Sequence, residues 1–199
     1  MGSKERRERQ KQELREGILA AALRIASAEG WQAVTMRKVA ELIEYSPPTI
    51  YEYFESKDAI LGTLAQEGFR KLRERLETAG AGGAGAPMVR LALAYCAFAW
   101  EHPQLYQVMF GMGGAICRLD SALPDLDALS RIMMTAARTA LPAVAEPDRA
   151  AVLEIHFATL HGIVSLAMQD LLGSQERADR LAEQATHDWL RAHQARSEI

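Results

Sequence analysis

Three short runs in the first third of the chain combine hydroxyl groups, phenol rings and cations. The first contains Thr35, Arg37 and Lys38, the second covers residues 46–54, and the third covers residues 56–58. Such side chains contact the phosphates and base edges of duplex DNA. The runs therefore favour a DNA-binding surface, whereas no nucleophile elbow, phosphate loop, His-Glu-x-x-His motif or carboxylate pair indicates an enzyme.

The run at residues 46–54 is typical of a short recognition helix. Ile50 and Phe54 are expected in the core, which leaves at least one of Tyr51 and Tyr53 outside. A phenol hydroxyl can bond a phosphate, and its ring can contact a thymine methyl group. The predicted DNA contacts are Thr35, Arg37, Lys38, Ser46, Pro47, Thr49, Tyr51, Tyr53 and Lys57.

Lys57 provides an electrostatic argument for this surface. Ser56 has the position of a helix N-cap, and the helix dipole opposes a cation in the first turn that follows. A phosphate held by the first backbone amides and by the Lys57 ammonium would make both features favourable. A solvated lysine is the alternative.

Hydrophobic periodicity of 3.6 residues recurs along the chain, and alternation of period two does not persist, so we predict an all-α fold. A first helix with an apolar stripe from Leu14 to Ile25 ends at Gly30. A second helix starts after Thr35, and a turn at residues 44–46 leads into a third that Ser46 caps. The three together form a helix-turn-helix.

The predicted organisation has a small N-terminal domain and a larger C-terminal one. Residues 10–58 are predicted to form the helix-turn-helix domain, and residues 59–199 a helical domain for effector binding and dimerisation. A fourth helix at 56–79 is predicted to connect the two domains. The run of Gly and Ala at 80–86 indicates a flexible connector. Further helices are expected at 87–101, 103–110, 125–140, 147–172 and 175–194.

The three runs, in register, resemble the tetracycline-repressor (TetR) family over residues 14–65. The resemblance implies a one-component transcription regulator, most often a repressor, that binds a palindromic operator as a homodimer, responds to a small-molecule effector and needs no cofactor. Glu44 stands where the family usually has glycine, which predicts a less tight or differently shaped turn. Pro47-Pro48 replaces a frequent Lys-Gly pair and so removes a lysine that could contact phosphate.

Residues 101–111 and 159–162 resemble one TetR subgroup, whose C-terminal domain carries a Trp and His-Gly signature. Phe157 occupies roughly the tryptophan position, and His161-Gly162 matches the rest.

The predicted helix at 147–172 has two apolar faces, one with Val152 and Ile155 and the other with Leu153 and Phe157. A surface helix needs only one. With the last helix, the additional face is predicted to form a four-helix interface about a two-fold axis, as in the family. Coverage within one chain is the alternative. The predicted interface consists of Ile155, Thr159, Gly162, Ile163, Leu166, Leu181, Ala185 and Trp189.

Aromatic and methionine side chains suggest an effector cavity in the C-terminal domain. Tyr95, Tyr106 and His161 are its expected polar anchors, so the effector should be lipophilic or aromatic. Ordinary core packing is the alternative for most of the set. The predicted lining is Tyr95, Phe98, Trp100, Tyr106, Met109, Phe110, Met133, Phe157 and His161.

Composition limits the other possibilities. Two cysteines, Cys96 and Cys117, form no disulfide framework, and His156 and His161 lie five residues apart, which does not suit a zinc pair. The uncharged stretch Ile155–Gln169 is shorter than the roughly 20 residues of a membrane span, and no secretory signal is expected. A cytoplasmic protein, associated with the nucleoid when bound to DNA, fits best. Net charge is −3, and a helical adaptor that binds no DNA is the rival class.

Overall fold

The computed structural model describes residues 2–82, 85–115 and 123–194. Within these ranges it contains α-helices and two 3₁₀ turns but no strand, so the predicted all-α fold is confirmed. The helices are α1 (Ser3–Glu29), α2 (Met36–Leu42), α3 (Pro47–Tyr51), α4 (Lys57–Gly80), α5 (Pro87–Glu101), α6 (Pro103–Met109), α7 (Leu123–Ala140), α8 (Glu146–Ala167) and α9 (Gln175–Gln194). The 3₁₀ turns are Trp31–Ala33 and Met112–Gly114.

Contacts divide the described chain into two compact units. Unit 1 is formed by the described residues of 1–68 and 104–122, and unit 2 by those of 69–103 and 123–199. Helix α4 therefore contributes residues to both units. The domain boundary placed at residue 58 stays a prediction.

The core of unit 1 forms around the apolar stripe of α1. Ile18 is fully buried, and Trp31 follows directly after the helix with 1% of its surface exposed. Helix α1 ends because Gly30 has φ +83°, which favours glycine. The Thr35 hydroxyl then accepts a hydrogen bond of 3.1 Å from the amide of Lys38 and caps α2, as predicted.

Helix α1 begins at Ser3, eleven residues before the first inward-facing leucine, Leu14. The amide of Gly2 donates to Glu5 Oε2 at 3.0 Å, and the Glu5 carboxylate lies at the favourable end of the helix dipole. Hydrophobic periodicity missed this extension because residues 4–13 are all exposed.

Unit 1 also contains α6, which lies against α4 at Gly68. A Cβ atom added to Gly68 would lie 2.5 Å from Met109 Sδ and 2.8 Å from its Cγ, so a larger residue would require the Met109 side chain to shift. Tyr106 and Met109 are buried as a result. Sequence patterns could not reveal this packing because it joins residues about forty positions apart.

In unit 2, α5 and α8 both pack against α9. The buried face of α8 includes Leu153, Leu160 and Val164. Helix α8 ends at Ala167, five residues earlier than predicted, and Asp170 then adopts a left-handed φ of +57° that is incompatible with a continuing helix.

Helix α8 is the one described helix that is long and apolar enough to span a membrane by length and composition. Its most apolar window has a mean hydropathy of 1.5, and 22% of that window is buried within the chain. Apolar residues such as Ile155 and Leu166 therefore remain exposed on this helix.

The same buried face carries His156, which is 1% exposed and stacks on Trp189 with 4.5 Å between ring centroids. Its Nε2 atom has no hydrogen-bond partner among the described residues. Burial lowers the pKa of His156 from 6.5 to about 4, since a charged imidazole would lose its hydration there.

This burial predicts acid-sensitive stability. Because the folded pKa of His156 is depressed, its contribution is complete above pH 6.5 and is lost as the pH falls towards about 4, by roughly 3 kcal/mol in total. His156→Leu should flatten the dependence of the urea-unfolding midpoint on pH, whereas His187→Gln, at an exposed position, should not. Equal pH dependence in the wild type and His156→Leu would contradict this account.

Candidate nucleic-acid interface and ligand site

Two buried side chains fix helix α3 to the core of unit 1. Ile50 is 0% and Phe54 is 3% exposed, and the Arg15 guanidinium carbon lies 4.3 Å from the centre of the Phe54 ring. Arg15 also donates to the carbonyl of Tyr53 at 3.3 Å. Tyr51 is 55% exposed on the opposite side. The predicted inward and outward faces of this segment are confirmed.

The start of α3 differs in detail from the prediction. Ser46 has an extended backbone, as expected for a residue that precedes proline, whereas Pro47 is the first helical residue although it precedes Pro48. The Ser46 hydroxyl makes no capping bond and instead lies 2.9 Å from the Thr49 hydroxyl. Both hydroxyls therefore belong to one small polar cluster on the surface.

The turn between α2 and α3 is not the less tight or differently shaped turn that Glu44 predicted. Glu44 has φ +59°, the left-handed conformation that glycine adopts most easily. The amide of Tyr45 donates to the Ala40 carbonyl at 3.0 Å and that of Glu44 to the Glu41 carbonyl at 3.3 Å, as in a Schellman motif. The predicted looser turn is therefore wrong, and the turn instead retains a tight shape at the cost of backbone strain.

The cations predicted to contact DNA have partners within the protein. Arg37 pairs with Glu41 at 2.7 Å, which raises the pKa of Arg37, and Lys38 pairs with Glu29 at 2.6 Å. These carboxylates offset much of the positive charge on α2.

Lys57 also has an internal partner. Its ammonium donates to the carbonyl of Trp31 at 2.6 Å, and Ser56 Oγ accepts from the Ala59 amide at 3.2 Å to cap α4. The carbonyl supplies the favourable interaction that the dipole argument sought from a phosphate. A bound phosphate is therefore not needed to explain a cation at this position. The contact of Lys57 with DNA stays a prediction.

An open groove of about 750 Å³ lies beside this surface within unit 1. Its lining is Arg7, Gln10, Lys11, Glu13, Leu14, Gly17, Ile43, Tyr45 and Tyr53. Hydrophobic periodicity does not predict this groove, because its cations lie on the exposed extension of α1. The density of Arg and Lys before Leu14 is the signal that could have revealed it.

The predicted effector residues divide between the two units. Tyr106, Met109 and Phe110 lie in unit 1, where the rings of Tyr106 and Phe110 are 4.8 Å apart. The other six lie in unit 2. The physical reason is the close approach of α6 to Gly68, which places α6 with the helix-turn-helix.

A polar cluster in unit 2 joins α5 to α8. The Tyr95 hydroxyl lies 3.3 Å from Nδ1 of His161, whose Nε2 is 3.4 Å from the Ser165 hydroxyl. Burial lowers the pKa of His161, which favours a neutral ring. Phe157 stacks on His161 at 5.9 Å but is 42% exposed, so its side chain borders this cluster at the surface.

The other predicted lining residues of unit 2 serve packing. Phe98 is 1% exposed, Met133 is half-buried, and Trp100 donates to Asp179 Oδ1 at 2.8 Å. A groove of about 470 Å³ lies elsewhere in this unit, between α4, α5 and α7, with Leu91 and Arg131 in its lining. None of the nine predicted effector residues lines that groove.

Most residues of the predicted dimer interface are exposed or half-buried in the single chain, and so could contact a second copy. Ile155, Leu166 and Leu181 are 65%, 43% and 37% exposed, Thr159 is exposed, and Gly162, Ile163 and Ala185 are half-buried. Trp189 differs. Its side chain is 9% exposed, and its indole donates to the Val152 carbonyl at 3.2 Å. Trp189 therefore joins α9 to α8 inside one chain and is removed from the predicted interface.

No cluster of three or more metal-ligating side chains occurs in the part of the chain that the structure describes. Burial raises the pKa of the Cys96 thiol to about 12, which disfavours the reactive thiolate. Cys117 lies outside the described residues.

Two family models match this architecture. Residues 18–72 match the model of the bacterial regulatory proteins of the tetR family, and residues 88–189 match that of the tetracyclin repressor-like C-terminal domain. The chain belongs to the TetR family. The predicted class, a transcription regulator and not an enzyme, agrees with this membership.

Individual TetR relatives match to different extents. The HTH-type transcriptional repressor KstR of Mycolicibacterium smegmatis is 38% identical over 91 residues, which are 46% of this chain and 42% of that protein. The chain thus matches less than half of that repressor's length. The structure of a protein of unknown function from Rhodococcus sp. RHA1 is 27% identical, with TM-score 0.72 over 90% of this chain and 95% of that one.

A TetR-family regulator from Thermus thermophilus, PfmR, shares the fold. It is 18% identical, with TM-score 0.65 over 87% of this chain and 97% of that one.

The strained turn yields a stability prediction. Glu44→Gly should raise the free energy of unfolding by about 0.5–1 kcal/mol, because relief of the left-handed strain exceeds the entropic cost of glycine. Glu52→Gly is the matched control, since Glu52 is also exposed but has φ −67°, and it should lower stability. Destabilisation by both substitutions in urea titrations would contradict the argument.

Proposed function

We propose that the chain is a dimeric transcriptional repressor, acting in the cytoplasm, that binds a palindromic DNA operator and is released by a small lipophilic or aromatic effector. Residues 10–58 act as the DNA reader, with α4 as the connection to the effector-binding part. The KstR relative carries the name of a repressor, which supports this direction of regulation.

The observation that carries DNA binding is the outward face of α3. With Ile50 and Phe54 buried, the short helix exposes Tyr51 together with the hydroxyl pair of Ser46 and Thr49. These groups can bond phosphates and base edges, and the exposed ring can contact thymine methyl groups. A helical adaptor that binds no DNA leaves this polar and aromatic face without a role.

A palindromic operator follows from dimerisation. Ile155 and Leu166 project from α8, and the neighbouring Gly162 has no atom within 4 Å of an added Cβ, so another helix could approach there closely. A second copy supplies an equal apolar face about a two-fold axis. Two readers related by such an axis address half-sites about 34–36 Å apart, or a multiple of that distance.

The effector site is proposed around the polar cluster of unit 2. Tyr95, His161 and Ser165 supply the polar groups of this cluster, and the ring of Phe157 supplies apolar surface beside it. A ligand changes the affinity for DNA only if it binds one conformation better than the other. Because α4 contributes residues to both units, a tilt of this helix would couple the effector to the reader.

Tyr51→Ala tests the reader. Affinity for duplexes that the wild type selects from a random library should fall by about 1–3 kcal/mol, or about 5- to 150-fold, for each half-site in which the base or phosphate contact is lost. The fold should persist because the ring is 55% exposed. Leu171→Ala removes a side chain that is 66% exposed in unit 2 and should leave the affinity unchanged. If Tyr51→Ala kept full affinity and sequence preference, α3 would not be the reader.

Ile155→Glu tests the dimer. A carboxylate buried at the two-fold interface should yield monomers by light scattering and should lower operator affinity at least tenfold. Leu171→Glu is the matched control, because Leu171 is equally exposed but lies beyond the end of α8.

A dimeric Ile155→Glu variant would rule out the proposed interface. A monomeric wild type that sediments with anionic lipid vesicles would assign the apolar face of α8 to a membrane instead.

A further inference from the structure

The extension of α1 carries positive charge that the protein does not use internally. Residues 2–13 contain five cations and three carboxylates, whereas residues 14–58 contain five cations and seven carboxylates. Arg7 and Lys11 have no ion pair with any residue that the structure describes. Half of the cations of the DNA-reading region therefore lie before its folded core.

The cations nearer the reader are engaged elsewhere. Arg37 and Lys38 each pair with a carboxylate, and Lys57 binds a backbone carbonyl. Phosphate contacts supply much of the affinity of DNA-binding proteins. The free cations of α1 are thus better placed to provide this attraction than the cations of α2 and α4.

The spacing of Arg7 and Lys11 along α1 places both cations on the face that borders the groove beside α3. Arg7, Lys11 and Leu14 lie on one face of α1, and that face lines the 750 Å³ groove together with Tyr45 and Tyr53. Tyr45 belongs to the turn before α3, and Tyr53 lies just after it. Arginine, lysine, glutamine and tyrosine are the side chains that most often bond phosphates.

Local energetics also indicate an external anion. Arg7 and Lys11 lie four residues apart on one face of α1, so their like charges repel each other. The carboxylate of Glu13 is the one negative group in the groove lining. A sugar–phosphate backbone would compensate the unpaired charge.

We propose that the Arg7–Lys11 face of α1 and Tyr45 form a clamp on the phosphate backbone of the duplex beside the bases that α3 reads. This inference rests on the proposed DNA binding. It assigns much of the electrostatic part of that binding to cations on α1, which precede α2 and α3 in the chain.

Salt dependence provides the test, on duplexes selected by the wild type. Arg7→Gln should reduce the slope of log K against log salt concentration by about 2 for the dimer, because each of its two subunits loses one phosphate contact worth about 0.9. Glu13→Gln should raise the affinity. Arg9→Gln is the matched control, since it removes the same charge from the same helix but Arg9 is not in the groove lining.

The outcomes separate the two proposals. A wild type that selects no duplex would overturn DNA binding and the clamp together. If the wild type binds but Arg7→Gln keeps the wild-type slope, or Arg9→Gln changes it equally, the clamp is excluded and the reader stands.

Discussion

The DNA-reading surface depends on the burial of two side chains beneath a helix that is too short to form alone. Helix α3 has five residues, and an isolated helix of that length is unstable in water. Ile50 and Phe54 hold it to unit 1, and Arg15 covers the Phe54 ring while bonding the backbone beside it. Because these anchors fix the rotation of α3, they determine that Tyr51 faces outward.

Two further features order the segments beside this helix. The Lys57 ammonium ties the first turn of α4 to the carbonyl of Trp31, and the strained Glu44 completes the turn that aims α3. Both features order the reader, so neither has to be explained by a bound ligand. Attraction for a polyanion can then come from charges without an internal task, which lie on α1.

Local patterns predicted the features that depend on neighbours in sequence. The stripe of α1, the Thr35 and Ser56 caps and the inward face of α3 all follow from spacings of three or four residues. Patterns failed where the partner is distant, as for Lys57 and Trp31, or where a missing Cβ decides the packing, as for Gly68. An exposed helix such as the start of α1 carries no apolar signal. The use of Trp189 inside one chain was missed because a stripe does not identify its partner.

The central claim is that duplex DNA binds to α3 and the N-terminal face of α1. Hydrogen exchange of the full-length chain, measured by mass spectrometry with and without a selected duplex, tests it directly. The account predicts slower exchange on DNA binding in residues 3–13 and 44–57 and no change in α7. Unchanged exchange in both N-terminal segments, with protection in α7 or another helix of unit 2, would contradict it.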